Sequence, residues 1–320
     1  MKGLFRRVVL GVGAGIAVYV GFSIWANARE VGVALAHFAW SAALLGLGLA
    51  AGNYAVRWVR WEYYLRRLGI RIAARDSVLV FLAGFALTVT PGKLGEAVKA
   101  LLLRQSHDIP AARTAPIVIA ERITDLIALL VLALVGVFSF EVDRRFLAAA
   151  AIAVGLGLAV IGSETLAGWL FGLIERIPRL ARLTPKMREF HNAATTLLKP
   201  GPLVVTTALS VGSWFLECLA FWVVVRGFPG AQLSLRAGTF IYASMTVAGA
   251  LSFLPGGLGV TEAGMLALLG TFGTGIGRGT AAAATFVTRA CTLWFAVAIG
   301  LAALALYARR EKMALEPREL

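Results

Sequence analysis

Charge is scarce in this sequence. Asp, Glu, Lys and Arg make up 15% of its 320 residues, against about 25% in an ordinary soluble domain. A soluble protein of this size needs a polar shell that such a composition cannot supply. Cysteine is almost absent. Cys218 and Cys291 both sit in apolar runs and make neither a disulfide framework nor a metal site. Histidine is equally sparse, and His37, His107 and His191 show no ligand spacing. No Walker loop, HExxH motif or Ser/His/Asp set occurs, so hydrolytic chemistry has no candidate constellation. These absences exclude a cytosolic enzyme, a secreted disulfide scaffold and a disordered regulator. They lead us to expect no metal, no cofactor and no enzymatic activity.

Apolar residues are plentiful. Hydrophobic side chains account for 59% of the chain, with 35 Gly in addition, and the mean hydropathy is +0.81. The reading is an all-α polytopic membrane protein, one integral-membrane domain over 1–320. The few charges are lopsided: 31 Lys and Arg against 17 Asp and Glu, a formal net charge of +14. In a soluble protein this would suggest nucleic acid. In a membrane protein it marks cytoplasmic loops, so no nucleic-acid partner is expected.

Hydropathy threads the chain. Full spans are expected at about 8–25, 38–56, 115–139, 146–173, 203–225 and 281–307. Two further apolar stretches are interrupted. Residues 78–89 stop at Thr90-Pro91-Gly92 and restart over 94–103; residues 238–254 stop at Pro255-Gly256-Gly257 and restart over 258–272. Short apolar pieces broken by Pro-Gly read as re-entrant helical hairpins. The architecture is thus about six full spans plus two hairpins. Basic loops at 57–76 and 175–200 fall on the side of both termini, the second with an amphipathic surface helix. Only Arg29, Arg144, Arg145, Arg226, Arg236 and Arg278 fall opposite. This bias predicts cytoplasmic N- and C-termini. Trp25, Trp40, Trp58, Trp61, Tyr63, Tyr64 and Tyr307, near span ends, are expected to be interface anchors. Gly46 and Gly48 suit helix packing.

The two interrupted segments resemble each other. Both read Pro-Gly-x-Leu-Gly followed by Glu: Pro91, Gly92, Lys93, Gly95 and Glu96 in the first, Pro255, Gly256, Gly257, Gly259 and Glu262 in the second. Arg122 follows Glu96 by 26 residues, and Arg289 follows Glu262 by 27. Each unit is a hairpin, a Glu, then a span carrying Arg: repeat 1 over about 77–139 and repeat 2 over about 238–307. In the threading above they have opposite orientation, which is an inverted-topology repeat.

Nine charges fall inside the membrane: Lys93, Glu96, Lys99, Glu121, Arg122, Asp125, Glu217, Glu262 and Arg289. Such residues are costly in lipid and are therefore candidates for substrate binding. Each helix after a break begins with unpaired N–H groups and a partial positive charge, which suits an anion such as a phosphate headgroup. Glu121 and Asp125 share a helix face at i,i+4, and Arg122 and Asp125 are i,i+3 neighbours able to pair. The plainer reading is a lattice that neutralises itself and holds helices together. The acids also leave a zwitterionic or cationic headgroup open.

At Pro91-Gly92-Lys93-Leu94-Gly95-Glu96, Glu121-Arg122-Ile123-Thr124-Asp125, Pro255-Gly256-Gly257-Leu258-Gly259 with Glu262, and Arg289, the chain resembles the lysylphosphatidylglycerol synthase transmembrane-region family. Its members are also called flippase-like or UPF0104 proteins. The resemblance covers about 8–308. It implies movement of a lipid between leaflets of a bacterial or archaeal cytoplasmic membrane. The soluble aminoacyl transferase domain of the full synthases has no counterpart in these residues, so lysine transfer is not expected. The functional expectation is a lipid translocase for an amphipathic, phosphate-bearing lipid. In this reading Glu96 and Glu262 contact the headgroup or a proton, and Arg122 and Arg289 bind phosphate or pair with those acids. The second expectation is a non-transporting scaffold or accessory subunit that partners a lipid or glycolipid biosynthetic enzyme.

Overall fold

A computed structural model of the chain describes residues 28–90, 96–137 and 184–315, with residue 21 and isolated positions between 148 and 169. The expected spans 8–25 and 146–173 lie largely outside the described residues, as does the start of the second basic loop. So does the first turn, with Pro91, Gly92, Lys93 and Gly95.

Among the described residues every regular element is helical, and the one extended pairing is a bridge between Gln232 and Thr274. Helix α1 (Ala28–Ala36) turns through 88° into α2 (Trp40–Arg67). Helix α3 (Ala74–Ala83) tightens into a 3-10 turn (Gly84–Leu87), and α4 (Val98–His107) follows the first break. One turn at Ala111–Thr114 leads to α5 (Pro116–Val137). Then come α6 (Thr184–Leu197), α7 (Pro200–Arg226) and α8 (Leu235–Leu251). A 3-10 turn (Pro255–Gly257) separates α8 from α9 (Val260–Phe272). Finally α10 (Arg278–Arg289) runs through a π-helical turn (Ala290–Trp294) into α11 (Phe295–Leu315).

Local chemistry explains the boundaries. Pro200 opens α7 at a position where its missing N–H costs nothing. The Ser234 hydroxyl accepts from the Ala237 N–H at 3.1 Å and caps α8. Between α8 and α9 the backbone takes φ values of 62°, 68° and 88° at Gly256, Gly257 and Gly259. Side chains disfavour that left-handed region and glycine does not. The sequence therefore stops one helix and starts another within a few residues.

Residues 200–226 and 278–310 form helices long and apolar enough to cross a membrane, and α1 with α2 makes a bent third candidate. In contrast α3 and α4 have 10 residues each and α9 has 13, short of the roughly 20 that a crossing needs. Helices α3 and α4 pack on each other, as do α8 and α9.

The interior divides into two cores. One gathers Val31, Leu129, Phe221, Val247, Met265 and Ala283 from α1, α5 and α7–α10. The other gathers Tyr64, Phe81, Leu103, Ile117, Leu197 and Ala303 from α2–α6 and α11. Each broken pair thus belongs to its own core. Helices α2 and α7 are tied along their length. The Ala39 N–H donates to the Gly227 carbonyl at 2.9 Å, Asn53 Nδ2 donates to the Ser213 carbonyl at 2.7 Å, and Arg60 donates to the Ser210 hydroxyl.

Two expectations are corrected. The span expected at 38–56 continues as α2 to Arg67, because no Gly or Pro interrupts 53–67 and carboxylates wait to receive its arginines. Arg57 and Arg60 are therefore buried rather than in a basic loop, while Arg66 and Arg67 are exposed at the helix end. Trp61, Tyr64 and Tyr307 are buried packing residues, not interface anchors. Trp61 Nε1 donates to Ser77 Oγ at 3.2 Å and the Tyr307 hydroxyl donates to the Leu102 carbonyl at 3.0 Å, so their polar atoms are satisfied internally.

Candidate functional site

Glu96 and Lys99 join a lattice of charges from α2 and α5. Asp125 is its centre. Arg60 Nη1 reaches Asp125 Oδ1 at 2.5 Å, and Arg122 Nη2 lies 3.1 Å from both Asp125 Oδ2 and Glu96 Oε2. Lys99 Nζ sits 2.6 Å from Glu121 Oε2, under the rings of Trp61 and Phe81. The glycine at 84 makes room for this lysine: a Cβ there would stand 2.8 Å from Lys99 Cγ. Glu96, Lys99, Glu121 and Asp125 are all buried. Buried charges of this kind are tolerable only when paired and hydrogen-bonded.

The second break builds a smaller pair. Arg289, at the end of α10, places Nε 2.7 Å from Glu262 Oε1 and donates from Nη2 to the Gly256 carbonyl at 2.6 Å. The other oxygen of Glu262 accepts from the Gly259 N–H at 2.7 Å. This is the acidic half of a capping box. The positive end of α9, expected to attract a ligand anion, is thus answered by the chain's own carboxylate.

A cavity of about 310 Å³ is lined by Thr88 and Thr90 from the first interrupted segment and by Gly256 and Gly257 of the second turn. Arg57, Arg122 and Asp125 line one part of it, and Gly256, Gly257 and Arg289 another. Glu217 and Tyr242 also face it, joined by a 2.6 Å hydrogen bond from the phenol to the carboxylate. Most of the remaining lining is apolar, including Leu126, Leu129, Trp214, Leu251 and Leu254. A chamber with a few convergent charges on greasy walls suits an amphipathic ligand.

The nine expected charges therefore separate into groups. Arg122, Asp125, Glu217 and Arg289 line the cavity. Glu96, Lys99, Glu121 and Glu262 are packed behind it as ion-pair partners. Lys93 lies outside the described residues. The expected helix breaker Pro255 and the glycines 256, 257 and 259 occupy the second turn. Arg57, Tyr54, Trp214 and Tyr242 were not anticipated as lining residues. A signal for α2 existed: Ala50, Tyr54, Arg57, Trp61 and Tyr64 recur every three or four residues, marking one buried face.

Comparisons with known proteins identify a family. A family model described as the lysylphosphatidylglycerol synthase TM region matches residues 12–300. Two relatives from Methanothermobacter thermautotrophicus, each named a UPF0104 membrane protein, are also similar. One is 29% identical over 271 residues, covering 77% of this chain and 79% of that protein. The other is 27% identical over 304 residues, covering 89% of each. With broken helices, buried ion pairs and a match over most of its length, the chain belongs to the lysylphosphatidylglycerol synthase TM-region family of membrane proteins.

Proposed function

We propose that this protein moves an amphipathic, phosphate-bearing lipid between the leaflets of a bacterial or archaeal cytoplasmic membrane. The observation that carries the reading is the cavity lined by residues of both interrupted segments. It sets Arg122, Asp125, Glu217 and Arg289 beside apolar walls. A lipid crossing the membrane must shelter its headgroup charge from hydrocarbon while its chains stay in an apolar setting. In this proposal Arg122 and Arg289 contact the phosphate, and Glu96 and Glu262 hold those arginines in place. Six crossings and two re-entrant hairpins of opposite orientation, with both termini cytoplasmic, would let the cavity open to either side in turn.

Leaflet exchange of a labelled phospholipid in proteoliposomes tests the proposal. The wild type should exchange lipid faster than protein-free vesicles. Glu96→Gln and Arg289→Ala should each fall at least about tenfold, the loss of one charged hydrogen bond. Equal rates in all three at the protein-free background would sink the reading and leave an accessory role beside a lipid biosynthetic enzyme.

A further inference from the structure

The helix that begins as α10 and ends as α11 changes form once, at Ala290–Trp294, where five residues wind as a π-helix. The Phe295 N–H reaches back to the Ala290 carbonyl, one residue beyond its α-helical partner. Such turns are rare, and they occur frequently at functional sites.

The turn stands where the helix changes surroundings. Up to Cys291 the helix packs in the core around Phe221, and from Phe295 it packs in the core around Tyr64. Arg289, just before the turn, is bonded to Glu262 and to the Gly256 carbonyl of the second break. Beyond the turn, Gly300 lies so close to the 3-10 turn of the first interrupted segment that a Cβ there would collide with the backbone of Phe85 and Ala86. A grip on one interrupted segment is thus separated from a seat on the other by the π turn alone. Thr292 and Leu293, inside the turn, line the cavity beside Arg289.

Helix α2 holds the turn from the side. The buried Tyr54 hydroxyl donates to the Thr292 carbonyl at 2.9 Å. This bond is made to a carbonyl of the turn itself, so it favours the form that aims that carbonyl at α2.

We propose that Ala290–Trp294 is a register switch pinned by Tyr54. When the turn winds into α-helix, Arg289 leaves Glu262 and Gly256 while α11 keeps its seat on the first interrupted segment. Rewinding turns one flank against the other by about 100° and shifts it by about 1.5 Å, the geometry of one α-helical residue. Arg289 sits at the boundary, so a turn of that size carries its guanidinium away from partners that it now meets at 2.7 and 2.6 Å. The switch follows from helix geometry and does not depend on the translocation reading; within that reading it frees the second interrupted segment.

Phenylglyoxal, which modifies accessible arginines, tests this on the purified full chain in neutral detergent, with the sites resolved by mass spectrometry. Amide hydrogen exchange over 286–296 is the second readout. In the wild type the amides of the turn should exchange faster than those of the helix on either side. Tyr54→Phe keeps the ring contacts with Phe85 and Phe295 and removes only the donor. It should raise Arg289 labelling at least about fivefold, the worth of one hydrogen bond, and leave Arg122 labelling unchanged. Deletion of Ala290, which is exposed, removes the surplus residue and should fix the α-helical form. Arg289 should then label fast, the turn should exchange as slowly as its flanks, and Tyr54→Phe should add nothing. Melting temperature confirms folding; if the deletion does not fold, the comparison of Arg289 with Arg122 in Tyr54→Phe carries the test. Unchanged Arg289 labelling in Tyr54→Phe, an equal rise at both arginines, or an equal effect of Tyr54→Phe with and without Ala290 overturns the inference. Neither readout involves lipid movement, so a failure here leaves translocation standing, and a failure of leaflet exchange leaves the switch standing.

Discussion

Arg289 joins two elements that the second helix break separates: its Nε stands 2.7 Å from Glu262 at the start of α9, and its Nη2 donates to the Gly256 carbonyl in the turn, at 2.6 Å. The pair is buried, so removing one member strands the other. Glu262→Gln or Arg289→Gln should each cost about 3–5 kcal/mol of stability. The double variant should cost less than the sum, because no lone charge remains. Thermal unfolding of the four proteins in one detergent checks this; strict additivity would contradict the pairing.

Lys99 and Glu121 pair behind the cavity rather than on its wall. Their replacement as a pair, Lys99→Met with Glu121→Leu, should leave the fold within about 2 kcal/mol of the wild type, since buried ion pairs exchange well for apolar groups of similar volume. Lipid exchange should stay within about twofold, a shift of less than half a kcal/mol in a barrier. A collapse of exchange in a stable double variant would show that these two residues meet the ligand after all.

The glycine at 84 is required by the same lysine. Gly84→Ala would set a methyl 2.8 Å from Lys99 Cγ, within a cage that leaves Lys99 only 2% exposed. Overpacking of this kind costs about 1–3 kcal/mol. The loss should shrink when Lys99 is itself shortened to Ala, and denaturation of the single and double variants measures the difference.

The proposed lipid path requires a vacant cavity. Ala250 lines it and is exposed, so Ala250→Trp fills space without displacing core. Melting temperature should stay within a few degrees, since exposed substitutions shift stability by about half a kcal/mol. Leaflet exchange should fall at least about tenfold, a barrier increase of about 1.4 kcal/mol. Undiminished exchange would move the lipid path elsewhere.

The second break was readable from its residues because Pro-Gly-Gly and the later glycine act locally: a missing N–H and positive φ stop a helix whatever surrounds it. The ion partner of Glu262 was readable too, from the matched spacing to Arg289. Arg57 and Arg60 were not. Their neighbours Trp58, Tyr63 and Arg66 look like a headgroup-layer segment, and the carboxylates that make their burial tolerable lie more than thirty residues ahead on other helices. Composition locates a charge along the chain but says nothing of the partner that tertiary packing brings to it. For Glu96 and Glu262 the sequence leaves a ligand contact and a pair with Arg122 or Arg289 both open, and packing turns each toward its arginine.

The ties between α2 and α7 carry a mechanical consequence. Three hydrogen bonds, at Ala39, Asn53 and Arg60, join the pair near its end, its middle and its charged lattice. Two helices pinned at three heights resist sliding and splaying, so the proposed translocation would use them as its fixed frame. In the translocation proposed above, rearrangement would fall to the interrupted pairs α3–α4 and α8–α9, each seated in a separate core. Amide hydrogen exchange should therefore be slowest along α2 and α7 and faster around Thr88 and Leu254.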